Sequence, residues 1–171
     1  PTYEYTYDSL GRLIYSAKLQ NKRPVLYTSH EYDTSDRITA QSWQIGNDSF
    51  SESYEYNPKD GTLKKMTAGG DTLNYTYNSL KLLLKRTSPK LDMAHYYRTW
   101  TDEKDVDGDK NTATVFHTNQ VESVQYLKPG TDTQLLPTLN YSYDALGNIT
   151  QITENDTGIA QYTYDAQNQV T

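Results

Sequence analysis

A short motif, Tyr-x-Tyr followed by Asp or Asn, recurs along this chain and limits its fold more than any other feature. Copies begin at residues 5, 54, 75, 141 and 162, and a variant with His in the first position begins at residue 30. Apart from one long central gap, neighbouring copies are 21 to 25 residues apart. Such periods are typical of stacked supersecondary units. Because an enzyme needs its reactive residues only once, the repetition indicates architecture.

Each copy predicts a β-hairpin. In the first copy, Tyr3, Tyr5 and Tyr7 alternate with polar residues, which places their rings on one face of a strand. Asp8 suits the first position of a type I turn, and Gly11 suits the position that needs a positive φ. Strand-forming residues follow the glycine, so the unit is a strand, a tight turn and a second strand.

The other copies vary the same turn. Asp36 and Asn168 stand where the first copy has glycine, and both residue types tolerate a left-handed conformation. The third copy has one additional residue before Gly61, which predicts a longer loop. Lys81 is a poor substitute for glycine, so we expect backbone strain or a different turn there.

The residues expected to hold the repeats together are the paired tyrosines and the turn residues. They are Tyr5, Tyr7, Asp8, Gly11, Tyr32, Asp33, Tyr54, Tyr56, Gly61, Tyr75, Tyr77, Tyr141, Tyr143, Asp144, Gly147, Tyr162, Tyr164 and Asp165. We expect their rings to stack between neighbouring strands, where each aromatic pair contributes roughly 0.2–1 kcal/mol. The predicted fold class is all-β: repeated antiparallel hairpins that form an extended, curved and twisted sheet.

Composition supports an ordered chain without disulfides. Leu, Ile, Val and Phe are scarce, but 17 tyrosines supply apolar surface and favour strands. There is no cysteine, and no apolar run has the length of a membrane span. A net charge of −6 without a basic stripe argues against nucleic acid as a partner.

The repeats divide the sequence into three parts of a single array. Residues 1–88 and 137–171 carry the regular copies. Residues 89–137 are interpreted as degenerate repeats that have longer strands or a protruding loop, and they include an acidic stretch. Both ends of the sequence interrupt the pattern, so we expect the chain to be part of something longer.

No residue pattern predicts catalysis or a cofactor. His30, His95 and His117 lie in strand-like stretches without the spacing of a catalytic motif, so no catalytic residue is assigned. The acidic stretch is the one metal candidate, with Asp105, Asp107 and Asp109 as speculative Ca²⁺ ligands. Its glycine is in the wrong position for an EF-hand, and a solvated hairpin tip explains the same residues.

The repeated motif resembles the YD-repeat family, also called Rhs repeats. The resemblance rests on Tyr5-x-Tyr7-Asp8-x-x-Gly11-Arg12-Leu13, on Tyr141-x-Tyr143-Asp144-x-x-Gly147-Asn148-Ile149 and on the weaker copies. Members include bacterial Rhs and wall-associated toxins, toxin-complex shell components and teneurins. The resemblance implies a segment of a β-spiral or solenoid shell, which in the toxins encloses a C-terminal toxic domain.

Two functions follow as expectations. The first is a non-enzymatic structural segment of a large bacterial protein, secreted or at the cell surface, whose partners are neighbouring repeats and an enclosed C-terminal domain. Exposed edge strands would also favour pairing between isolated copies. The alternative is a carbohydrate-binding or adhesion module in which exposed tyrosines, Trp43 and Trp100 stack on sugar rings.

Overall fold

The structure is a computed structural model that describes the backbone of residues 1–102 and 114–171. Side chains are described for residues 1–99 and 118–171. The chain folds as two compact units, residues 1–75 (unit one) and 76–171 (unit two).

The described residues form thirteen β-strands and no helix, which confirms the all-β prediction. The strands are β1 (Thr2–Tyr7), β2 (Leu13–Gln20), β3 (Arg23–Tyr32), β4 (Ile38–Ile45), β5 (Asp48–Tyr56), β6 (Leu63–Ala68), β7 (Asp71–Tyr77), β8 (Leu83–Thr87), β9 (Asp92–Asp102), β10 (Thr114–Leu127), β11 (Gln134–Tyr143), β12 (Ile149–Glu154) and β13 (Thr157–Gln161). They hydrogen-bond in chain order within one sheet, and the strand pairs with a described register are antiparallel. Nothing in the described part of the chain is a helix that could cross a bilayer.

The predicted turn is present in the first copy. The Leu10 N–H donates to Asp8 Oδ1 over 2.9 Å, as expected of an aspartate that begins a turn. The Gly11 N–H donates to the Asp8 carbonyl over 3.1 Å, and Gly11 has a φ of 80°. Asp36 and Asn168 take the same position in their copies, with φ values of 60° and 61°. Local sequence therefore determines the hairpin turns.

Lys81 forms this same turn. Its N–H donates to the Asn78 carbonyl over 3.0 Å, and its φ is 62°. Of the two expected alternatives, a different turn is not what the structure shows. The turn is the same because the Asn78 side chain accepts from Leu80 N–H and Leu82 N–H, as the aspartate does in the first copy. The expected strain is present instead, since a left-handed conformation is unfavourable for lysine.

We therefore predict that Lys81→Gly raises the free energy of unfolding by about 1 kcal/mol, because glycine adopts this φ without a steric penalty. Urea denaturation measures the change. Lys59→Gly, at an exposed loop position where no positive φ occurs, is the matched control and should not stabilise the protein. Equal effects of the two substitutions would contradict the interpretation of strain at Lys81.

Few side chains are fully enclosed. Among the described residues, the buried apolar ones are Ala17, Ala94, Val124 and Leu127, and the one buried charged residue is Asp92. Most strand residues are half-buried or exposed. Burial of apolar area is therefore a modest source of stability in each unit, and contacts between adjacent hairpins become correspondingly important.

Candidate functional site

The turns of successive hairpins contact each other through the residue that follows the turn glycine. Arg12 Nε donates to Asp8 Oδ2 over 2.6 Å within its own turn. Its Nη1 then donates to the Asp33 carbonyl over 3.0 Å and to Asp36 Oδ1 over 2.7 Å. Arg12 thus joins the first turn to the second with charge-assisted hydrogen bonds.

The same arrangement recurs with other residues. Arg37 Nε donates to Asp33 Oδ2 over 2.8 Å, and a methyl group built on Gly61 in the next turn would lie 3.2 Å from Arg37 Nη1. In unit two, Asn148 Nδ2 donates to Asp144 Oδ2 over 3.0 Å and to Asn168 Oδ1 over 3.2 Å. In these three turns, the aspartate therefore accepts hydrogen bonds from its own loop and from the side chain of the residue that ends the loop.

These contacts change the ionisation of the turn aspartates. The backbone N–H of Arg12 is the largest cause that holds the pKa of Asp8 below its ordinary value. The side chain of Arg37 does the same for the pKa of Asp33, and that of Asn148 for the pKa of Asp144. The turns are consequently stabilised by aspartates in their charged form.

In five described cases the second tyrosine of a motif, or its counterpart Tyr97, reaches back to the preceding hairpin. Its hydroxyl donates to a backbone carbonyl, which belongs to the first residue of a strand in four cases and to Val121, within β10, in the fifth. The described bonds are Tyr32 to Leu13 (2.9 Å), Tyr56 to Ile38 (2.8 Å), Tyr97 to Leu83 (2.9 Å), Tyr143 to Val121 (2.8 Å) and Tyr164 to Ile149 (2.8 Å). We call this contact the tyrosine latch.

Arginines cover three of the latched rings. The guanidinium carbon of Arg12 lies 4.8 Å from the centroid of the Tyr32 ring, and that of Arg37 lies 4.4 Å from the Tyr56 ring. In unit two the corresponding distance from Arg98 to Tyr143 is 5.9 Å. The bond from the hydroxyl and the contact with the cation join these tyrosines to their neighbours.

Tyr97 is a member of the set that sequence reasoning missed. Its sequence surroundings place it in the degenerate segment, because the adjacent Tyr96 obscures the motif. Tyr97 lies 20 residues after Tyr77, close to the shortest spacing of 21 residues between motif copies, and this spacing is the sequence signal for its role. The latch thus continues into residues 89–137, where the two longest strands, β9 and β10, also lie.

A row of polar side chains crosses three strands of unit one. His30 is opposite Gln41, and Gln41 is opposite Glu52. Gln41 Nε2 donates to Glu52 Oε2 over 2.9 Å and to the Tyr54 hydroxyl over 2.7 Å, and the Tyr54 hydroxyl donates to Glu52. Burial, with a further contribution from Glu52, raises the pKa of Tyr54 to about 12. Glu52 therefore accepts hydrogen bonds from two side chains, Gln41 and Tyr54.

Trp43 lies opposite Thr28 and Phe50 in the register, two residues from Gln41 on the same strand. It is half-buried, whereas Phe50 is 57% exposed. The side chain of Trp100 and all of Asp105, Asp107 and Asp109 lie outside the described residues. Within the described part, no three His, Asp or Glu side chains come together as metal ligands.

The other motif tyrosines have different surroundings. Tyr5 and Tyr7 on β1 are each 57% exposed, and Tyr162 is 36% exposed. The Tyr75 hydroxyl lies 3.9 Å from the sulfur of Met66. Burial raises the pKa of Tyr141, which is half-buried. The first tyrosine of a motif therefore has no single role, and Tyr7 shows that the second is not latched in every copy.

Comparison with protein families agrees with this geometry. Residues 143–171 match the family model described as RHS Repeat. Residues 143–171 carry an RHS repeat. They contain the last copy of the motif and all but the first two residues of the copy before it, including the latched Tyr164 and the turn pair of Asn148 and Asn168. None of the curated protein sequences matches the chain.

Two solved structures resemble this chain in fold. "Crystal Structure of TcdB2-TccC3-Cdc42" contains a chain that is 15% identical with a TM-score of 0.66, and the match covers 99% of this chain and 9% of that one. A Tc holotoxin pore from Photorhabdus luminescens with a substitution in TccC3 is 16% identical with a TM-score of 0.63, and the match covers 98% of this chain and 9% of that one. The chain therefore spans about a tenth of the length of these proteins, and identity this low shows the fold alone.

Proposed function

We propose that the chain is a non-catalytic stretch of wall in a larger, secreted bacterial RHS-repeat protein, where it helps to enclose or display a cargo domain. The observation that carries this proposal is the tyrosine latch, which five described tyrosines repeat with donor–acceptor distances of 2.8 to 2.9 Å. A contact that recurs along the array serves continuity between hairpins, because each latch joins one repeat only to the repeat before it.

The surroundings of the latch support a mechanical role. Three turn aspartates, Asp8, Asp33 and Asp144, each accept hydrogen bonds from backbone N–H groups and from the side chain of Arg12, Arg37 or Asn148. Glu52 is likewise occupied by Gln41 and Tyr54. Carboxylates held in this way stabilise turns and have little freedom to transfer protons.

The partners in this proposal are neighbouring repeats and a cargo domain of the same protein or complex. The likeness in fold to structures whose titles name TcdB2 with TccC3 and a Tc holotoxin pore supports this choice. Secretion is part of the proposal, and the likeness in fold to a Tc holotoxin pore supports it.

Limited proteolysis of the full-length protein that carries this chain tests the proposal. We expect the cargo domain to resist protease in the intact protein and to be cut when a latch is removed by Tyr143→Ala. Tyr5→Ala is the matched control, because Tyr5 is 57% exposed and forms no described latch. Equal cleavage of the cargo domain in the intact and denatured proteins would overturn the proposal.

Glycan binding is a second candidate, which the surroundings of Trp43 favour. An indole ring next to the exposed Phe50 ring offers a surface on which a sugar ring can stack, and Gln41 lies on the same strand two residues away. A glycan array with the purified chain tests this candidate. Saturable binding that Trp43→Ala removes and Ile45→Ala retains would support it, and an array without binding would exclude it.

A further inference from the structure

Arg86 on β8 is a cation that forms no ion pair with the described part of the chain. Its Nε atom is shielded from solvent and has no hydrogen-bond partner, and among the described residues no carboxylate forms an ion pair with its guanidinium. The neighbouring Lys85 differs in this respect, because its Nζ lies 3.3 Å from Asp92 Oδ2. Of two adjacent cations on β8, Lys85 therefore has a carboxylate partner and Arg86 has none among the described residues.

His95 on β9 also has a polar atom without a hydrogen-bond partner. Its Nδ1 atom is shielded from solvent and unpaired. Arg86 lies opposite Met93 in the register, and alternation places His95 on the face that carries Met93. Burial and the charge of Arg86 lower the pKa of His95. Arg86 and His95 thus each have a shielded polar atom without a described partner, on the same face of two adjacent strands.

The walls of this region are apolar. Val124 is opposite His95 and is 6% exposed, and Tyr126 is opposite Met93. A guanidinium held against such residues is unfavourable unless an anion compensates it. The chain has 22 acidic residues and 16 lysines and arginines. Because carboxylates outnumber cations, an arginine without a carboxylate partner is unexpected.

We propose that Arg86 and His95 form a binding site for a carboxylate group carried by a protein segment that packs on this face of unit two. Charge complementarity selects the carboxylate, because a planar guanidinium donates two parallel hydrogen bonds to it and the imidazole can donate a third. Met93 and Tyr126, which are half-buried, select a segment with apolar residues on both sides of its acidic one. This site does not depend on the proposed wall function, since any protein partner with that chemistry would satisfy it.

Two blocked peptides test the site: acetyl-Leu-Glu-Leu-amide and its uncharged match, acetyl-Leu-Gln-Leu-amide. We follow the imidazole signals of His95 by NMR at constant pH and ionic strength while either peptide, acetate or phosphate is added to the whole chain. His30 is an internal control, because its Nδ1 is also shielded and unpaired but no arginine is opposite it.

The glutamate peptide and acetate should shift His95 saturably, with the peptide half-saturating on the order of 10 mM and acetate more weakly. The glutamine peptide should leave His95 unchanged, and His30 should not respond. Arg86→Gln should abolish the response, and Arg86→Lys, which keeps the charge without the planar fork, should weaken it several-fold.

Three outcomes would overturn the proposal. The first is the absence of a saturable His95 shift with the glutamate peptide. The second is an equal response to both peptides, which would indicate an apolar contact alone. The third is tighter binding of phosphate than of acetate, which would assign the site to phosphate-bearing ligands. If Arg86→Gln does not fold, an unchanged response in Arg86→Lys counts against the site.

Discussion

Replacing Asp92 with alanine is expected to destabilise unit two by about 3 kcal/mol, the typical effect of removing one partner from a buried ion pair. Asp92 is 1% exposed. Its Oδ1 accepts from the Ser88 N–H over 3.2 Å, its Oδ2 accepts from the Gly130 N–H over 3.1 Å, and Lys85 Nζ lies 3.3 Å away. The substitution leaves two backbone donors and one ammonium group without this acceptor.

Guanidinium chloride denaturation measures this change. Asp132→Ala is the matched control, because Asp132 is an exposed acid two residues from Gly130, and its removal should alter the free energy of unfolding by no more than about 0.5 kcal/mol. Equal effects of the two substitutions would show that the carboxylate of Asp92 does not organise the surrounding loops.

The same carboxylate gives a pH dependence with a defined sign. Burial alone would raise the pKa of Asp92, but hydrogen bonds from Gly130, Lys85 and Ser88 outweigh it and lower the pKa below the ordinary value. The stabilisation is therefore complete above the unfolded-state pKa of about 4, and it is lost as the pH falls through the lower folded-state value. Asp92→Asn should show a smaller loss of stability between neutral pH and acid than the unsubstituted chain.

Local features of the sequence were predictable because their causes are local. Asp8 and Gly11 predicted a turn whose hydrogen bonds span at most four residues, and the structure has it. The register of each hairpin follows from that turn together with the alternation of tyrosine and polar residues. Recurrence of the motif then predicted an array of hairpins without further information.

The contacts between hairpins were not predictable in the same way. The bond from Arg12 to Asp36 joins residues 24 positions apart, and it depends on the relative placement of two turns. The latch from Tyr32 to Leu13 uses a backbone acceptor, which has no sequence signature. Asp92 lies in no motif, and it became recognisable only when its burial and its three partners were known.

The second large effect is expected at Tyr32, where the latch and an arginine act on one side chain. Tyr32→Phe removes the hydroxyl that donates to the Leu13 carbonyl, and it should lower the free energy of unfolding by about 1 kcal/mol. Tyr32→Ala also removes the ring that lies 4.8 Å from the Arg12 guanidinium carbon, and the total loss should approach about 3 kcal/mol. Urea denaturation gives both values.

Hydrogen exchange locates the effect. If the latch joins adjacent hairpins, Tyr32→Ala should speed exchange in residues 8–13 of the preceding hairpin more than in β4 or β5, because each hairpin of an array depends on its immediate neighbours. Tyr7→Ala is the matched control: Tyr7 is also the second tyrosine of a motif, but it is 57% exposed and forms no described latch. A Tyr7→Ala variant as unstable as Tyr32→Ala would contradict the role of the latch, because the exposed Tyr7 ring forms no described bond of this kind.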